Sequence, residues 1–575
     1  MKRCNYQKPI TDMTESADAT KVEWREWGQK AFDAADRAAK PVLLALVTSW
    51  SAECREMDTT TYAEPRIAAN INDGFVPVRV DADRHPRVRE RYNMGGFPST
   101  VFLTPSGKVL TGATHLGVDG FRGILDSVRK TWDSNGEEAG SIPRALRDDP
   151  TPAGDIDARI EEHMVEQLLG SFDEEFGGWG SGVKFPLPRT IEFALVRAPD
   201  QATRTLEAIQ THLLDTYDGG FYRYARNRNW GGARREKLAD ESVALLRAFA
   251  HGYRYTGEES YRETAERGVE FLTTTLWTGD AVGASQGGDE SYFTLEPADR
   301  EDADPPNVDD TILADRNGLA VDALLRYVAY TDDADATRYA RQAREYVCEK
   351  LVDGGEVTHY RDGDDSGESG LLLDQARLLA GLTTSWAVLG EPGPAVAVAD
   401  WTVEQLQTGE GAFRDGPAEG PGLLDRPLYP LDSAVETADA LLDLALLTGQ
   451  DRYRRAARQA VEAFAGAGER MGVEVAGYAT VAARLQEPRC IQIATEPGSD
   501  LHRAALRLAD HETVVAPLVA SDHNAAATAG HALGGDDGSD SQDLTRGEAR
   551  VVTDGVEDDR VDSPAELESL LTGDG

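Results

Sequence analysis

The residues best suited to redox chemistry are residues 50–54, Trp-Ser-Ala-Glu-Cys. They lie between an apolar run and the predicted start of a helix. A dithiol oxidoreductase needs a thiolate at the N-terminus of a helix, where the helix dipole lowers its pKa, and a second thiol to resolve the mixed disulfide. Ser51 occupies the first of these positions, and its hydroxyl cannot do that chemistry. We therefore predict that dithiol exchange is absent. Cys54 remains a candidate catalytic thiol, although packing as a small buried hydrophobe explains it more simply.

A second group of candidates consists of carboxylates and aromatic side chains in predicted loops of the central region. Hydrolysis of a glycosidic bond needs two carboxyl groups about 5 to 10 Å apart, one protonated and one ionised. The candidate carboxylates are Asp218, Glu236, Asp240, Asp289, Glu290, Asp310 and Asp374, and we select Glu236, Asp240 and Asp310 as catalytic. Flat faces for sugar rings could come from Trp179, Tyr222, Tyr224 and Trp230. In a chain with 101 acidic residues, a solvated surface group or a helix cap is a simpler explanation of any single carboxylate.

Residues 20–133 are predicted to form an α/β domain. Apolar runs indicate buried strands at 41–47, 75–80 and 100–104, and helical spacing covers 31–39 and 121–132. This order of strands and helices is that of the thioredoxin fold. Pro98 falls where that fold keeps a cis-proline beside its active-site helix, so we predict a cis peptide bond there. Trp50, Ser51 and Pro98 form the frame of the predicted redox site.

Residues 150–487 are predicted to be helical throughout. Twelve segments have helical periodicity, and the loops between them alternate between short links and longer loops rich in Gly, Asp and aromatic residues. The segments are 156–171, 189–197, 200–216, 237–256, 258–276, 315–332, 334–351, 370–389, 393–407, 433–449, 451–467 and 473–486. Paired helices with long loops on one side predict an all-α (α/α)6 toroid with one central pocket, although an α-solenoid would have a similar number of helices.

Residues 488–575 are predicted to form a small α/β appendage. Strand patterns at 490–494, 513–519 and 550–552 are interleaved with helical patterns at 501–509 and 563–571. The stretch 534–543 consists almost entirely of Gly, Asp and Ser, which cannot bury a core. We predict that it is a flexible acidic linker.

Several motifs resemble the spermatogenesis-associated protein 20 family, also called DUF255, in which a thioredoxin-like domain precedes a six-hairpin glycosidase-like domain. The matching residues are Trp24, Trp27, Lys40-Pro41, Cys54-Arg-Glu-Met57, Val80-Asp81, Pro86, Gly95-Gly-Phe-Pro98, Gly177-Gly-Trp-Gly180, Lys184-Phe-Pro186, Gly219-Gly-Phe-Tyr-Arg-Tyr224, Trp230, Glu236-Lys237, Asn317-Gly-Leu319 and Leu373-Asp-Gln-Ala376. The resemblance implies a toroid pocket that binds or acts on a small carbohydrate, as a hydrolase or a sugar isomerase-like enzyme. It adds Lys184, Asn317 and Asp374 to the predicted ligand-binding residues.

The chain departs from this family at positions that carry chemistry. Members usually have Cys-His-Trp-Cys-His where this chain has residues 51–55, so the first cysteine, both histidines and the tryptophan are replaced. Three further family histidines are replaced by Tyr222, Gly231 and Arg234, and a tryptophan by Arg316. Histidine can act as a general acid or base near neutral pH. The replacements therefore argue against a mechanism that depends on those histidines.

The composition limits the environment and the partners. The net charge is −42, and only 10 of the 59 basic residues are lysine, which is typical of a high-salt cytoplasm and predicts a halophilic, haloarchaeal-type cytoplasmic protein. There is no basic stripe for nucleic acid, no apolar run long enough to cross a membrane, and no signal-peptide core in residues 1–20. The four cysteines form no CxxC pair, and we predict neither a metal site nor a cofactor.

Three classes of function remain open. The first is a carbohydrate-active enzyme or carbohydrate-binding protein that uses the toroid pocket. The second is a thiol-dependent redox protein that acts through Cys54. The third is a non-catalytic binding or scaffold protein, with a protein partner in the groove beside Pro98. The missing cysteine and histidines favour the third class, and a toroid packed shut would support it over the first.

Overall fold

The computed structural model describes residues 21–147, 151–363, 365–518, 544–557 and 559–572. The segment 1–20 and the predicted linker at 534–543 lie outside these residues. The described chain forms an α/β domain, a ring of helices and a second α/β unit, in that order. Among the described helices, none is long and apolar enough to cross a membrane.

The N-terminal domain is built on a four-stranded sheet. Its strands are β1 (Val42–Val47), β2 (Val76–Asp81), β3 (Ser99–Leu103) and β4 (Val109–Ala113), in the order β2-β1-β3-β4. β1 is parallel to β2 and antiparallel to β3, so that Leu44 lies opposite both Val78 and Val101. The helices are α1 (Gln29–Ala38), α2 (Ala52–Thr59), α3 (Pro65–Gly74), α4 (Pro86–Tyr92) and α5 (Val118–Asn135). They cover both faces, which explains why every residue of β1 is apolar and buried. The predicted thioredoxin-like fold is confirmed.

Twelve helices form a closed ring of six hairpins. The outer helices are α6 (Arg159–Gly170), α8 (Pro199–His212), α10 (Glu259–Thr274), α12 (Ala334–Lys350), α14 (Ala395–Leu406) and α16 (Asp451–Glu462). The inner helices are α7 (Pro188–Arg197), α9 (Ala239–Thr256), α11 (Ala314–Thr331), α13 (Leu372–Leu389), α15 (Leu431–Thr448) and α17 (Ala476–Gln486). Each inner helix packs against the next, and α17 packs against both α7 and α6. This contact between the last and first helices closes the ring, so the predicted (α/α)6 toroid is confirmed and an open solenoid is excluded.

The sequence of each helix explains its layer. Inner helix α11 is buried on nearly every side, including its charged residues Asp315, Arg316 and Asp322. Outer helix α16 buries only a stripe that contains Tyr453 and Ala457, and its arginines face outward. Inner helices α9, α13 and α15 end at Gly257, Gly390 and Gly449, which adopt the left-handed conformation that ends a helix without a Cβ penalty.

The C-terminal unit covers the end of the ring where the inner helices finish. Its strands are β5 (Arg489–Ile493), β6 (Val514–Pro517), β7 (Ala549–Thr553) and β8 (Val556–Glu557), in the order β6-β5-β7-β8. Its helices are α18 (Asp500–Leu508) and α19 (Pro564–Thr572). β6 packs against α13 and α15, and α18 packs against α11.

The N-terminal domain covers the opposite end, where the inner helices begin. The carboxylate of Asp415, in a toroid loop, accepts hydrogen bonds from Arg87 at 3.2 Å and from Arg91 at 2.6 Å. Leu423 and Leu424 of the same loop enter the apolar core of the N-terminal domain. The two domains therefore share a core and a buried ion cluster.

Candidate functional site

Ser51 caps the N-terminus of α2 at the predicted redox site. Its hydroxyl accepts a hydrogen bond from the backbone N–H of Cys54 at 3.3 Å. Ser51 and Cys54 are only 1% and 2% exposed, and burial raises the pKa of the Cys54 thiol to about 11. The Phe97-Pro98 peptide bond is cis, as predicted. The thiol is therefore protonated at neutral pH and shielded from solvent, which is the opposite of what thiol exchange requires.

Loops of the toroid cover this end of α2. Glu53 and Arg234 form a bidentate ion pair with N–O distances of 2.6 and 2.8 Å. Arg234 also donates to Glu236 at 2.7 Å, and the guanidinium of Arg223 lies 4.6 Å from the centre of the Trp50 ring. The chain's own second domain therefore contacts Trp50 and Glu53, beside the groove in which we predicted a protein partner.

Asp83 joins the two domains through two hydrogen bonds and makes a third within its own domain. Its carboxylate accepts from Trp50 Nε1 at 2.9 Å and from Arg316 Nη2 at 2.8 Å. Its backbone carbonyl lies 2.8 Å from Nε2 of His359, whose Nδ1 lies 2.9 Å from Asp374. Burial disfavours the charged ring, but the carboxylate of Asp374 outweighs it and raises the pKa of His359 to about 9. Burial also raises the pKa of Asp374, so the pair holds a proton at neutral pH.

A cavity of about 100 Å³, which we call the chamber, lies between the two domains. Its wall consists of Asp83, Pro86 and Arg89 from the N-terminal domain and of Asp240, Leu313, Asp315, Arg316, His359, Leu371, Leu373, Asp374 and Arg377 from the toroid. Two buried atoms of these lining residues, Asp315 Oδ1 and Arg316 Nε, have no hydrogen-bond partner in the described part of the chain. An unpaired acceptor and an unpaired donor both cost free energy unless water or a ligand pairs with them.

A larger cavity of about 290 Å³, which we call the funnel, occupies the centre of the ring beside the chamber. Its wall consists of Leu187, Pro188, Arg189, Thr190, Ala244, Arg247, Leu319, Arg377, Asp432, Val435, Glu436, Glu474, Val475, Gly477 and Tyr478. Arg377 lines both cavities, since its guanidinium donates to Asp315 at 3.1 Å and to Glu436 at 3.0 Å. Among the described residues of the N-terminal domain, some line the chamber and none lines the funnel.

Two carboxylates one turn apart in α15 line the funnel and differ in proton affinity. The side chain of Asp432 is open to the funnel, yet the surrounding protein desolvates it and Glu436 adds a negative charge, so its pKa is raised. Burial acts on Glu436 as well, but the guanidinium groups of Arg377 and Arg189 outweigh it and lower its pKa. Such a divergence between neighbouring carboxyl groups provides an acid and an anion at one site.

The N-terminal part of the chain matches a known family. Residues 12–148 match the family described as a protein of unknown function, DUF255. Because the match coincides with the N-terminal domain, we call that domain the DUF255 domain. Spermatogenesis-associated protein 20 of Homo sapiens is 27% identical over 296 residues, which cover 44% of this chain and 37% of that protein. The protein of the same name from Mus musculus has the same identity and coverage. The matched region thus spans about 37% of the length of these relatives, and the predicted resemblance is confirmed.

The ring is similar to several solved structures. A cellobiose 2-epimerase from Bacillus thermoamylovorans has a TM-score of 0.42 and 11% identity, with 52% of this chain and 84% of that chain covered. A D-mannose isomerase has a TM-score of 0.40 and 13% identity, with coverage of 54% and 86%. A family 76 glycoside hydrolase from Bacteroides thetaiotaomicron has a TM-score of 0.42 and 11% identity, with coverage of 57% and 98%. The closed circle of helix contacts, rather than these similarities, defines the fold.

The glycine-rich loops that follow the DUF255 domain are held by buried lysines. Lys184 donates to Asp173 at 2.9 Å, and Lys237 makes the equivalent contact with Asp215 at 2.7 Å in the next hairpin. Each lysine also donates to a glycine carbonyl of its own loop at 2.8 Å. Both side chains are fully buried. Lys184, which we predicted to bind ligand, is thus one half of a repeated structural ion pair.

The predicted aromatic and amide ligands are also engaged elsewhere. Trp179 and Trp230 donate their indole N–H groups to backbone carbonyls at 3.1 and 3.0 Å. The amide of Asn317 pairs with a backbone N–H and a backbone carbonyl, both at 2.9 Å. Tyr222 is buried and Tyr224 is half-buried. These five residues line neither the funnel nor the chamber.

The structure does not bring the predicted catalytic carboxylates together. Glu236 is 2% exposed and is held by the ion pair at the domain interface. Asp240 lines the chamber, as does the predicted ligand residue Asp374. Asp310 is exposed and lines neither cavity. The other candidates outside both cavity walls are Asp218, Asp289 and Glu290.

The sequence did not lead us to predict the charged residues that line the funnel. They include Asp432, Glu436, Arg189 and Arg377, and His359 of the chamber was missed as well. These residues belong to none of the motifs that attracted attention. For the four funnel residues the usable signal was their position in the first two turns of inner helices, because those turns face the entrance of a toroid. His359 lies in a loop and had no such signal.

Asp315, His359 and Asp374 place one possible ligand atom each within 4.8 Å of one another. A metal ion needs a deprotonated imidazole nitrogen. Both ring nitrogens of His359 are engaged in hydrogen bonds, and its raised pKa favours the doubly protonated ring. The guanidinium groups of Arg316 and Arg377 line the same chamber. This donor set therefore favours an imidazolium over a bound metal ion.

Proposed function

We propose that the chain is a carbohydrate-active enzyme that acts on a monosaccharide-sized sugar in the funnel by acid–base chemistry, as a sugar isomerase-like protein. The observation that carries this proposal is the pair Asp432 and Glu436 in an uncovered cavity, with pKa values displaced in opposite directions. Asp432 is the proton carrier. Glu436 stays ionised, keeps the pKa of Asp432 high and accepts hydrogen bonds from sugar hydroxyls.

The size of the funnel favours a small ligand. Binding cavities for drug-sized molecules begin at roughly 300 Å³, and the funnel measures about 290 Å³. Its wall carries guanidinium, carboxylate and hydroxyl groups from Arg189, Glu474 and Thr190 beside the acidic pair. Such a wall matches the hydrogen-bonding groups of one sugar unit.

The placement of the acidic pair favours isomerisation over hydrolysis. Glycoside hydrolysis uses two carboxyl groups that flank the scissile bond. Asp432 and Glu436 project from adjacent turns of one helix, so they approach a ligand from one side. Isomerisation needs one group that removes a proton from the hydroxyl-bearing carbon beside a carbonyl and returns it to the carbonyl carbon on the same face, while the hydroxyl proton moves to the carbonyl oxygen. Arg189 would stabilise the negative charge that develops on the carbonyl oxygen.

The other two classes of function receive less support. The high pKa and the burial of Cys54 oppose thiol-dependent catalysis. The uncovered funnel opposes a purely structural toroid, for which a packed centre would be expected. We therefore place the activity in the toroid.

The test is proton exchange on a panel of aldohexoses and aldopentoses in D₂O, followed by ¹H NMR. Removal and return of a carbon-bound proton through solvent-exchanging Asp432 replaces the C2 hydrogen with deuterium. We expect exchange on at least one sugar, and a loss of at least about 100-fold in Asp432→Asn, the scale of a general acid–base contribution. Asp335→Asn, a change at an exposed aspartate in the first turn of outer helix α12 that lines neither cavity, is the matched control and should keep most of the rate. Absence of exchange on every sugar, or an undiminished rate in Asp432→Asn, contradicts the proposal.

A further inference from the structure

The chamber is built from both domains. Three of its lining residues, Asp83, Pro86 and Arg89, belong to the DUF255 domain, and we call residues 83–89 the roof. The remaining wall comes from the first turns of α9, α11 and α13 and from nearby loops. Because Arg377 lines the funnel and the chamber, a ligand in the funnel lies next to the space beneath the roof.

The roof is held rigidly on both sides of Arg89. Arg87 and Arg91 lie two residues before and after it on α4, and both bind the buried carboxylate of Asp415. Arg89 itself is less constrained. Its Nε and Nη2 lie 3.1 and 3.0 Å from the carboxylate of the exposed Glu90, and its Nη1 lies 4.0 Å from Asp83, beyond hydrogen-bond distance. One nitrogen of this half-buried guanidinium therefore remains available to a group in the chamber.

Two residues of the chamber wall, Asp315 and Arg316, carry the unpaired polar atoms described above. Asp315 Oδ1 needs a donor and Arg316 Nε needs an acceptor, and both residues are more than nine-tenths buried. A hydroxyl group both donates and accepts, so a hydroxylated ligand carries both kinds of group that such atoms lack. At roughly 30 Å³ for each water-sized group, the chamber holds about three hydroxyl-sized groups, which corresponds to one end of a sugar.

The charges around the chamber favour a neutral group. Four cationic side chains and four carboxylates line it, counting the protonated His359 pair as an imidazolium and a carboxylate. A bound phosphate or amine would add a charge that no side chain of the chamber is left to neutralise. A neutral hydroxylated end leaves it intact.

We propose that the DUF255 domain is part of the sugar site: one hydroxylated end of a neutral sugar bound in the funnel lies in the chamber and contacts Arg89 of the roof. This inference rests on the proposed function, since it assigns a second contact surface to the same ligand. It gives the thioredoxin-like domain a binding role that needs no thiol. Arg89 is a specificity residue in this arrangement and takes no part in proton transfer.

The first test is hydrogen–deuterium exchange of the full chain with D-glucose, D-mannose or D-xylose. We expect slower exchange in residues 83–92 and in residues 431–436 when the sugar binds. Helix α5, on the same domain but outside the chamber wall, is the internal control and should not change. Protection at 431–436 alone contradicts the proposal that the sugar contacts the roof, and it leaves the proposed function supported. Absence of protection at both segments with every sugar counts against both proposals.

The second test measures affinity for the same sugars. Arg89→Ala removes one charge-assisted hydrogen bond, so we expect a loss of about tenfold or more in affinity. Arg66→Ala, at an exposed arginine of the same domain, is the matched control and should bind like the wild type. Arg89→Lys keeps the charge and should recover part of the loss. Unchanged affinity in Arg89→Ala overturns the inference, while loss of deuterium exchange in Asp432→Asn would still support the proposed function.

Discussion

Asp415→Asn should loosen the DUF255 domain from the toroid. The carboxylate of Asp415 is the shared partner of Arg87 and Arg91, at distances of 3.2, 2.6 and 3.2 Å, and all three side chains are at least nine-tenths buried. Removing one member of a buried ion pair costs about 3 to 5 kcal/mol, because the remaining charge is left without compensation. Both arginines keep backbone carbonyl acceptors in the loop around Leu423. We therefore expect the lower end of that range, about 3 kcal/mol.

The assay is equilibrium unfolding in urea at constant salt, followed by far-UV circular dichroism and by tryptophan fluorescence. A chain with several domains need not unfold in one step, so the earliest transition is compared between variants. The lost free energy should lower the midpoint of that transition, and added salt should change the difference little because a buried pair is poorly screened.

Asp157→Asn is the matched control for this measurement. Asp157 pairs with Arg159 at 2.6 Å, but the arginine side chain is 78% exposed, so the pair should contribute nothing measurable. Equal midpoints for Asp415→Asn and the wild type would show that the buried ion cluster does not stabilise the contact between the roof and the toroid. The same result would contradict the view that the chamber is rigid.

Two further predictions concern titration. The pKa of His359 is about 9 in the folded chain and about 6.5 when unfolded, so its protonation stabilises the fold fully below pH 6.5 and the contribution disappears as pH rises through 9. The contribution is about 3 to 4 kcal/mol, because the two pKa values differ by about 2.5. His359→Gln should therefore reduce the fall in the urea midpoint between about pH 6.5 and 9. If the variant keeps the wild-type fall, the assignment is contradicted. Thiol labelling of native Cys54 should have a midpoint near pH 11, and a midpoint below that of a free thiol would contradict its burial. Ser51→Cys should not yield reduction of a protein disulfide substrate, because both positions are covered.

The helices could be predicted because their signal is local. The predicted segment 334–351 corresponds to α12, and 370–389 corresponds to α13, which ends at a left-handed glycine. Periodicity and C-terminal glycines both lie within a few residues of the boundary that they define. The segment 451–467 was predicted too long, because the chain leaves the α-helix after Glu462 and continues as a 3₁₀ turn at Ala465–Arg470. Two-residue strands such as Tyr224–Ala225 are too short for any pattern to predict.

The site could be predicted less well, because its contacts join residues far apart in the chain. Glu53 meets Arg234, and Asp83 meets Arg316, across 181 and 233 residues, and no local pattern reports such a distance. A weaker signal was available. Four of the six inner helices have an aspartate in the first turn, namely Asp240, Asp315, Asp374 and Asp432. Acidic residues are common there because they favour the helix dipole, so this repeat became informative only once the ring was known to be closed.

Several residues that differ from the family pattern lie at the interface between the two domains. Glu53 and Arg234 replace a family tryptophan and a family histidine, and they form an ion pair with each other across the domain interface. Arg316 replaces a second tryptophan and binds Asp83 beneath the roof. The replaced positions therefore hold the DUF255 domain against the toroid. The same burial raises the pKa of Cys54 and covers Ser51. A disulfide substrate could reach that thiol only if the domains separated, so a rigid roof and thiol exchange are physically incompatible in this chain.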